Sequence, residues 1–267
     1  MSNETDRRWV DSMPEAYERW LVPALFRPFA VELARRASVR SPRRILELAA
    51  GTGVLTRELI DATAPAKVTA TDLNPAMIDF GRELASGATW ELADAGALPF
   101  EAGQFDLVAC QFGVMFFPDK PAAFAEARRV LAADGRLLFN TWSSLETNHF
   151  AAALMAGLER AFPEDPPSFV AAFPHGYSDV DTVLADLEAG GLSPLAVETV
   201  ELESSAASAA DLATGFCTGT PLRAAIEARG DLATALVVVT GEMERRLGSG
   251  HVTGTMTAHV VEARPAA

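Results

Sequence analysis

The sequence predicts an α/β fold: a mostly parallel seven-stranded sheet with helices on both faces and a helical insertion before the last strand. Three observations predict it. Short apolar or β-branched runs alternate with helical segments from Arg43 to about Thr141. The first of these runs passes through a turn of small residues, Ala49–Gly53, into a helix. A long helical stretch, Ser208–Leu247, precedes a final run, His251–Ala263. Strand–helix alternation at this spacing implies parallel strands joined by right-handed crossovers.

The elements follow in order. Pro14–Arg36 reads as helical, with Tyr17, Trp20, Leu21, Leu25, Phe26 and Phe29 as its apolar residues. Ile45–Leu48 is the first strand and Leu55–Ala62 the helix after it. Lys67–Asp72 is β-branched and extended. Pro75–Ser86 is a helix that Asn74 caps, with proline at its first position. Thr89–Leu92 and the buried run Phe105–Gln111 are strands. Pro121–Leu131 is a helix stopped at Asp134-Gly135, and Arg136–Thr141 is a strand. A proline-rich irregular segment, Phe162–Tyr177, leads to a helix, Asp179–Ala189, ended by two glycines. Leu195–Leu202 alternates as a strand does. No internal repeat or long linker interrupts the chain, so one domain is expected.

Composition narrows the function. The 267 residues are 49% hydrophobic and 22% charged, an ordinary globular balance. A net charge of -14 repels phosphate backbones and anionic head groups, which disfavours nucleic acid and membrane partners. Cys110 and Cys217 have no paired spacing, so neither a disulfide framework nor a cysteine zinc site is expected. The four histidines are scattered without clustered carboxylates, and no metal site is expected. Met1–Asp11 is polar, with neither signal nor transit character. The longest apolar stretches are too short to span a bilayer. A cytoplasmic protein, monomer or homodimer, is the expectation.

The segment Ile45-Leu46-Glu47-Leu48-Ala49-Ala50-Gly51-Thr52-Gly53 carries the chemistry. Small residues let the backbone approach a ligand closely, and the helix beyond offers N–H groups to an anionic group. Asp72 ends the next strand, where ligands of open α/β sheets bind, and its carboxylate can accept two ribose hydroxyls. Asp94 follows the third strand on the same edge; it can accept an adenine amino group while the Ala95 N–H donates to a ring nitrogen. Gln111 and Phe112 fall just past the fourth strand, where the reactive end of such a ligand would lie.

Together these pieces resemble the class I S-adenosylmethionine-dependent methyltransferases, a Rossmann-like family, and in particular the quinone-biosynthesis branch. Phe116-Phe117-Pro118-Asp119 and Ala133-Asp134-Gly135 are also similar to that branch, although the latter usually reads Pro-Gly-Gly. The resemblance implies that Glu47, Ala49, Gly51, Thr52 and Gly53 cradle the methionine portion of the cofactor. It implies that Asp72, with Leu73, holds the ribose, that Met77 also lines the cofactor site, and that Asp94 and Ala95 hold adenine. Residues 43–142 are then the cofactor-binding core, 1–42 an N-terminal helical cover, 143–250 substrate-cover segments with the insertion, and 251–263 the final strand. Tyr17 is the expected closing residue of the cover. Ala49 departs from the family, which most often has glycine there. A negative φ is therefore predicted at Ala49, and a positive one would weaken rather than abolish cofactor binding.

The implied reaction is in-line methyl transfer to an O, C or N atom of a small, partly apolar metabolite. Phe116, Trp142, His149 and Tyr177 are candidates for the acceptor pocket. His175, in Phe173-Pro174-His175-Gly176-Tyr177, is the first candidate for a general base and His149 the second. His251 and His259 read as structural. A nicotinamide-dependent oxidoreductase is the competing enzyme, but counting from Gly51 the third glycine of G-x-G-x-x-G falls on Thr56. A non-catalytic cofactor-binding protein on the same fold stays open, because fold does not fix function.

Overall fold

A computed structural model describes residues 13–266, so the reading of Met1–Asp11 lies outside the described residues. These residues form two compact units. One, the sheet unit, comprises Phe29–Ser143, Tyr177–Val200 and the chain from Ala258. The other, a largely helical unit, comprises the described residues up to Pro28, Ser144–Gly176 and Glu201–Thr257.

The strands are β1 (Arg44–Leu48), β2 (Lys67–Asp72), β3 (Thr89–Leu92), β4 (Phe105–Gln111), β5 (Leu131–Trp142), β6 (Leu192–Ala206) and β7 (Val252–Pro265). They form one sheet in the order β3-β2-β1-β4-β5-β7-β6. The β1–β2, β2–β3, β1–β4 and β4–β5 pairs are parallel, whereas β7 runs antiparallel to β5. β1 therefore lies between β2 and β4, and the strand order reverses at this point. In open α/β sheets such a switch opens a crevice at the carboxyl ends of the strands. Central strands of a covered sheet are apolar on both faces; accordingly Ile45, Leu46, Val108, Leu137 and Phe139 are all buried.

In the sheet unit, α3 (Val54–Thr63), α4 (Pro75–Leu84), α5 (Lys120–Val130) and α8 (Val180–Ala189) connect the strands. Their starts are written in the sequence. The Asn74 side chain accepts the Ala76 N–H, Asp119 that of Ala122, and Asp179 that of Thr182. Asp134-Gly135 does not stop α5. The helix ends at Val130, and β5 begins at once because Leu131 pairs with Phe105 across a bulge. Strand β6 extends beyond the predicted run at both ends.

The helical unit holds α1 (Tyr17–Phe26), a wide π-type helix with Pro23 inside it, which runs on into α2 (Arg27–Ser38). It also holds α6 (His149–Ala161), the single turn α7 (Phe169–Ala172) within the segment expected to be irregular, and the insertion. The insertion is three helices, α9 (Ala209–Gly219), α10 (Leu222–Glu227) and α11 (Leu232–Leu247), broken at Pro221 and restarted where Asp231 accepts the Thr234 N–H. Helices α6 and α11 cross closely at Gly157, where a Cβ would stand 3.0 Å from the Val239 Cα. Overpacking of this kind costs about 1–3 kcal/mol. Gly157→Ala should therefore lower the unfolding free energy by about that amount, read from urea denaturation monitored by circular dichroism; an unchanged midpoint would contradict this crossing.

Candidate active site

The turn after β1 is stitched to its neighbours by backbone and side-chain bonds. The Ala50 N–H donates to the Thr71 carbonyl at 2.9 Å, and Thr71 Oγ1 donates to the Glu47 carbonyl at 2.8 Å. The Gly53 N–H closes the turn on the Ala50 carbonyl at 2.9 Å. Gly51 and Gly53 have φ of +56° and +81°, values that glycine adopts without steric cost. No side chain caps α3, whose Ncap is Gly53. The first turn of a helix presents N–H groups and the positive end of the dipole, a setting for a carboxylate or phosphate. A Cβ at Gly51 would meet nothing within 4 Å, so the turn has open space on that side.

Ala49 overturns the prediction made for it. Its φ is +52°, not negative. The turn needs this left-handed step to swing the chain from β1 toward α3, and an alanine there costs about 1–2 kcal/mol. The extra methyl is accommodated by the tip of β4. A Cβ on Gly113 would lie 2.6 Å from the Ala49 Cβ and 2.7 Å from the Cys110 Sγ, so only glycine fits at position 113.

Two carboxyl groups converge on this turn. Asp72 Oδ2 accepts the Gly51 N–H at 2.8 Å, and its Oδ1 accepts the Asn74 N–H at 2.8 Å. Burial raises its pKa, while the N–H groups of Asn74, Gly51 and Leu73 act in the opposite direction. Each oxygen keeps a further lone pair for a hydroxyl. Glu47 is fully buried and accepts the Thr56 hydroxyl at 2.6 Å. Burial pushes its pKa up to about 8, against the Thr56 hydrogen bond. A buried, mostly protonated carboxyl beside a small-residue turn suits a cationic partner, whose arrival would favour ionisation. The donor set therefore fits an adenosyl amino acid: a buried acid for an ammonium, a helix start for a carboxylate and an aspartate for a diol.

The remaining expected residues fall as follows. Leu73 is 68% exposed beside Asp72, and Met77 is half-buried in the first turn of α4. Asp94 is exposed; its Oδ1 accepts the Gly96 N–H at 2.8 Å and the Ala97 N–H bonds back to its carbonyl, so the turn-aspartate role is real. Thr52 is buried and Ala95 half-buried. Gln111 ends β4 in register with Asn140 of β5. Phe112, at φ +51°, stacks on Trp142 with ring centroids 3.6 Å apart, and Phe29 meets both edge-on. Phe116 is 47% exposed in the turn after β4.

Tyr177 is buried. Its hydroxyl donates to Asp186 at 2.9 Å, its carbonyl accepts the Thr141 hydroxyl, and burial with Asp186 pushes its pKa far up. His259 is structural as expected: its Nδ1 lies 3.0 Å from Thr199 Oγ1, and burial lowers its pKa. Tyr17, His149 and His175 belong to the helical unit. There Tyr17 stacks on Phe26, His149 Nδ1 accepts the Thr255 N–H at 3.1 Å, and His175 is buried. Burial pushes the Cys110 thiol up to about 12, which removes it as a nucleophile. Among the described residues no cluster of three His, Cys, Asp or Glu is poised to hold a metal, and no helix is long and apolar enough to cross a membrane.

Two supporting residues escape motif reasoning. Trp90 of β3 packs beneath the turn, leaving no room for a Cβ at Gly53 or Gly81, and its Nε1 donates to the Ala85 carbonyl. Asn140 is fully buried, and its Oδ1 accepts the Phe112 N–H at 2.9 Å, holding that residue in its left-handed conformation. Their signals are a tryptophan in a short strand opposite a helix glycine, and an amide in an otherwise apolar run.

Comparison with known proteins gives the family. Residues 45–135 match the family described as a methyltransferase domain. The chain is 34% identical over 170 residues to the ubiquinone/menaquinone biosynthesis C-methyltransferase UbiE of Burkholderia vietnamiensis, covering 59% of this chain and 70% of that one. It is 38% identical over 151 residues to the malonyl-[acyl-carrier protein] O-methyltransferase of Halorhodospira halophila, covering 54% of this chain and 49% of that protein. Among solved structures, phosphoethanolamine N-methyltransferase 2 of Haemonchus contortus, determined with S-adenosylhomocysteine, is 15% identical and superposes with a TM-score of 0.61 over 98% of this chain and 59% of that one. The [4+2]-cyclase SpnF, 16% identical, gives 0.59 over 90% and 82%; both likenesses concern the fold. The chain belongs to the class I S-adenosylmethionine-dependent methyltransferases. Within them it is similar to the quinone-biosynthesis branch, and its cofactor is S-adenosylmethionine.

Two predictions follow from this geometry. Ala49→Gly should relieve the left-handed alanine and raise stability by about 1 kcal/mol with tighter S-adenosylhomocysteine binding, whereas Gly113→Ala should destabilise and be partly rescued in the double variant. Denaturation of all four proteins of the cycle checks it; additive effects would contradict the contact. The second concerns Glu47. Between the ordinary carboxyl pKa of 4.5 and about 8 the folded state holds a proton that the unfolded chain has released, so stability from this group falls as pH rises through that window. Glu47→Gln should therefore gain stability relative to the native protein as pH is raised from about 5 to about 9 in melting experiments. A difference independent of pH would contradict the buried, protonated acid.

Proposed function

We propose that this enzyme transfers the methyl group of S-adenosylmethionine to an O, C or N atom of a small, partly apolar metabolite. The observation that carries the reading is the convergence of Glu47, the Gly51–Gly53 turn and Asp72 at the carboxyl ends of β1 and β2. The bound sulfonium supplies an electrophilic methyl, so the protein's duties are positioning and exclusion of water. Glu47 receives the ammonium and the α3 start, with Thr52 and Gly53, receives the carboxylate. Asp72 accepts the ribose hydroxyls. Leu73, exposed beside it, and Met77 give adenine an apolar wall, while Asp94 and the Ala95 N–H read its edge.

Gln111 and Phe112 stand toward the reacting end, and Tyr17 acts as the cover residue. Phe116 and the Phe112–Trp142 stack favour an aromatic or otherwise apolar acceptor, and the names of the quinone-biosynthesis relatives point the same way. His175 is the proposed base if the acceptor must lose a proton. His149 ranks below it, because its Nδ1 already accepts a backbone N–H. The net charge of -14 supports a small-molecule acceptor over nucleic acid, in a cytoplasmic monomer or homodimer.

Asp72→Ala removes the acceptor for two ribose hydroxyls and should weaken S-adenosylhomocysteine binding by about 2–3 kcal/mol in isothermal titration calorimetry. An unchanged dissociation constant would place the cofactor elsewhere.

A further inference from the structure

The opposite edge of the sheet, where the parallel strands begin, carries a feature that methyl transfer does not use. An open cleft of about 600 Å³ lies there within the sheet unit, and Ser41, Arg43, Arg44, Lys67 and Asp106 are among the residues lining it. Arg43 and Lys67 are exposed. Asp106, the carboxylate of the cleft, is already engaged: it accepts the N–H groups of Arg43 and Arg44 and pairs with the Arg44 guanidinium at 2.8 Å.

Two of the cations stand on adjacent strands. Arg44 is in register with Lys67, and Asp106 on the other side of Arg44 shares their face of the sheet. Neighbouring strands lie about 4.8 Å apart, so like charges are held close along this edge.

Helix dipoles explain only part of this concentration. Helices α2 and α3 end at this edge, and each C-terminus carries about half a negative charge. Set against Asp106 and these two helix ends, Arg43, Arg44 and Lys67 leave about one net positive charge at the cleft, on a chain of net charge -14. The cleft falls in the size range of small-molecule sites, roughly 300–1,000 Å³. It is larger than a phosphate group alone requires.

We propose that this cleft binds the phosphate group of a soluble phosphorylated small molecule, at a site distinct from the methyl-transfer crevice. The Arg43 guanidinium offers a planar pair of N–H donors to phosphate oxygens, the Lys67 ammonium a point charge, and the Ser41 hydroxyl a third donor.

Calorimetric titration with pyrophosphate in low-salt buffer tests the proposal, comparing the native protein with the double charge reversal R43E/K67E. Vesicles containing phosphatidic acid serve as the membrane arm. The expected result is saturable pyrophosphate binding that weakens by about tenfold or more in R43E/K67E, with melting temperature and S-adenosylhomocysteine affinity retained. No binding up to about 10 mM pyrophosphate, or equal affinity in the variant, would overturn it. So would retention on vesicles that pyrophosphate does not displace, which would assign the patch to a lipid surface.

Discussion

The site depends on how closely the backbone turn after β1 packs between its neighbours. Residues 49–53 must reverse direction within a few ångströms of β2 and β4, with the amides of Ala50, Gly51 and Gly53 all bonded within the protein. Three left-handed steps at Ala49, Gly51 and Gly53 make the reversal. Each has a local support: the Ala50 N–H on the Thr71 carbonyl, the Gly51 N–H on Asp72, and Trp90 packed beneath Gly53. Glycine 113 is then a consequence of Ala49, since the two positions share one small volume. The packing there is tight enough that a single methyl matters on either side of it.

The same turn sets the electrostatics. On a strongly acidic chain, two further carboxyls drawn to one strand edge repel each other and lose hydration. The structure resolves this by dividing their roles. Asp72 is compensated by backbone N–H groups, whereas Glu47 is buried deeply enough to keep its proton near neutral pH. A cation placed beside a buried carboxyl lowers the cost of ionising it, which is the chemistry the proposed role of Glu47 relies on. On the far side of the crevice, Asn140 performs a related service for Phe112, whose left-handed backbone would otherwise strain the stack on Trp142.

Much of this was legible in the sequence. The bounds of β2, β3 and β4 follow from β-branched and apolar runs between turn residues, and Asn74 and Asp179 announce the helices they cap. The locations of Glu47, Asp72 and Asp94 at strand ends follow from topology alone. The sign of φ at Ala49 was not legible, because an alanine argues for a negative φ locally, and the room its methyl needs is supplied by Gly113, distant in sequence. Trp90 and Asn140 were missed for a similar reason: each stands out in its strand, but the partner it serves is set by packing with residues distant in sequence. The break of the insertion into three helices was foreshadowed by Pro221 and Asp231, yet the assembly of a separate helical unit from three distant stretches was not.

The central claim is that an adenosyl group lies across the tips of β1, β2 and β3. A crystal structure of the protein with S-adenosylhomocysteine tests it most directly. The account predicts the ribose hydroxyls within about 3 Å of the Asp72 carboxylate and the ammonium beside Glu47. Ligand density away from these strand tips, or side chains of the turn closing over them, would contradict it.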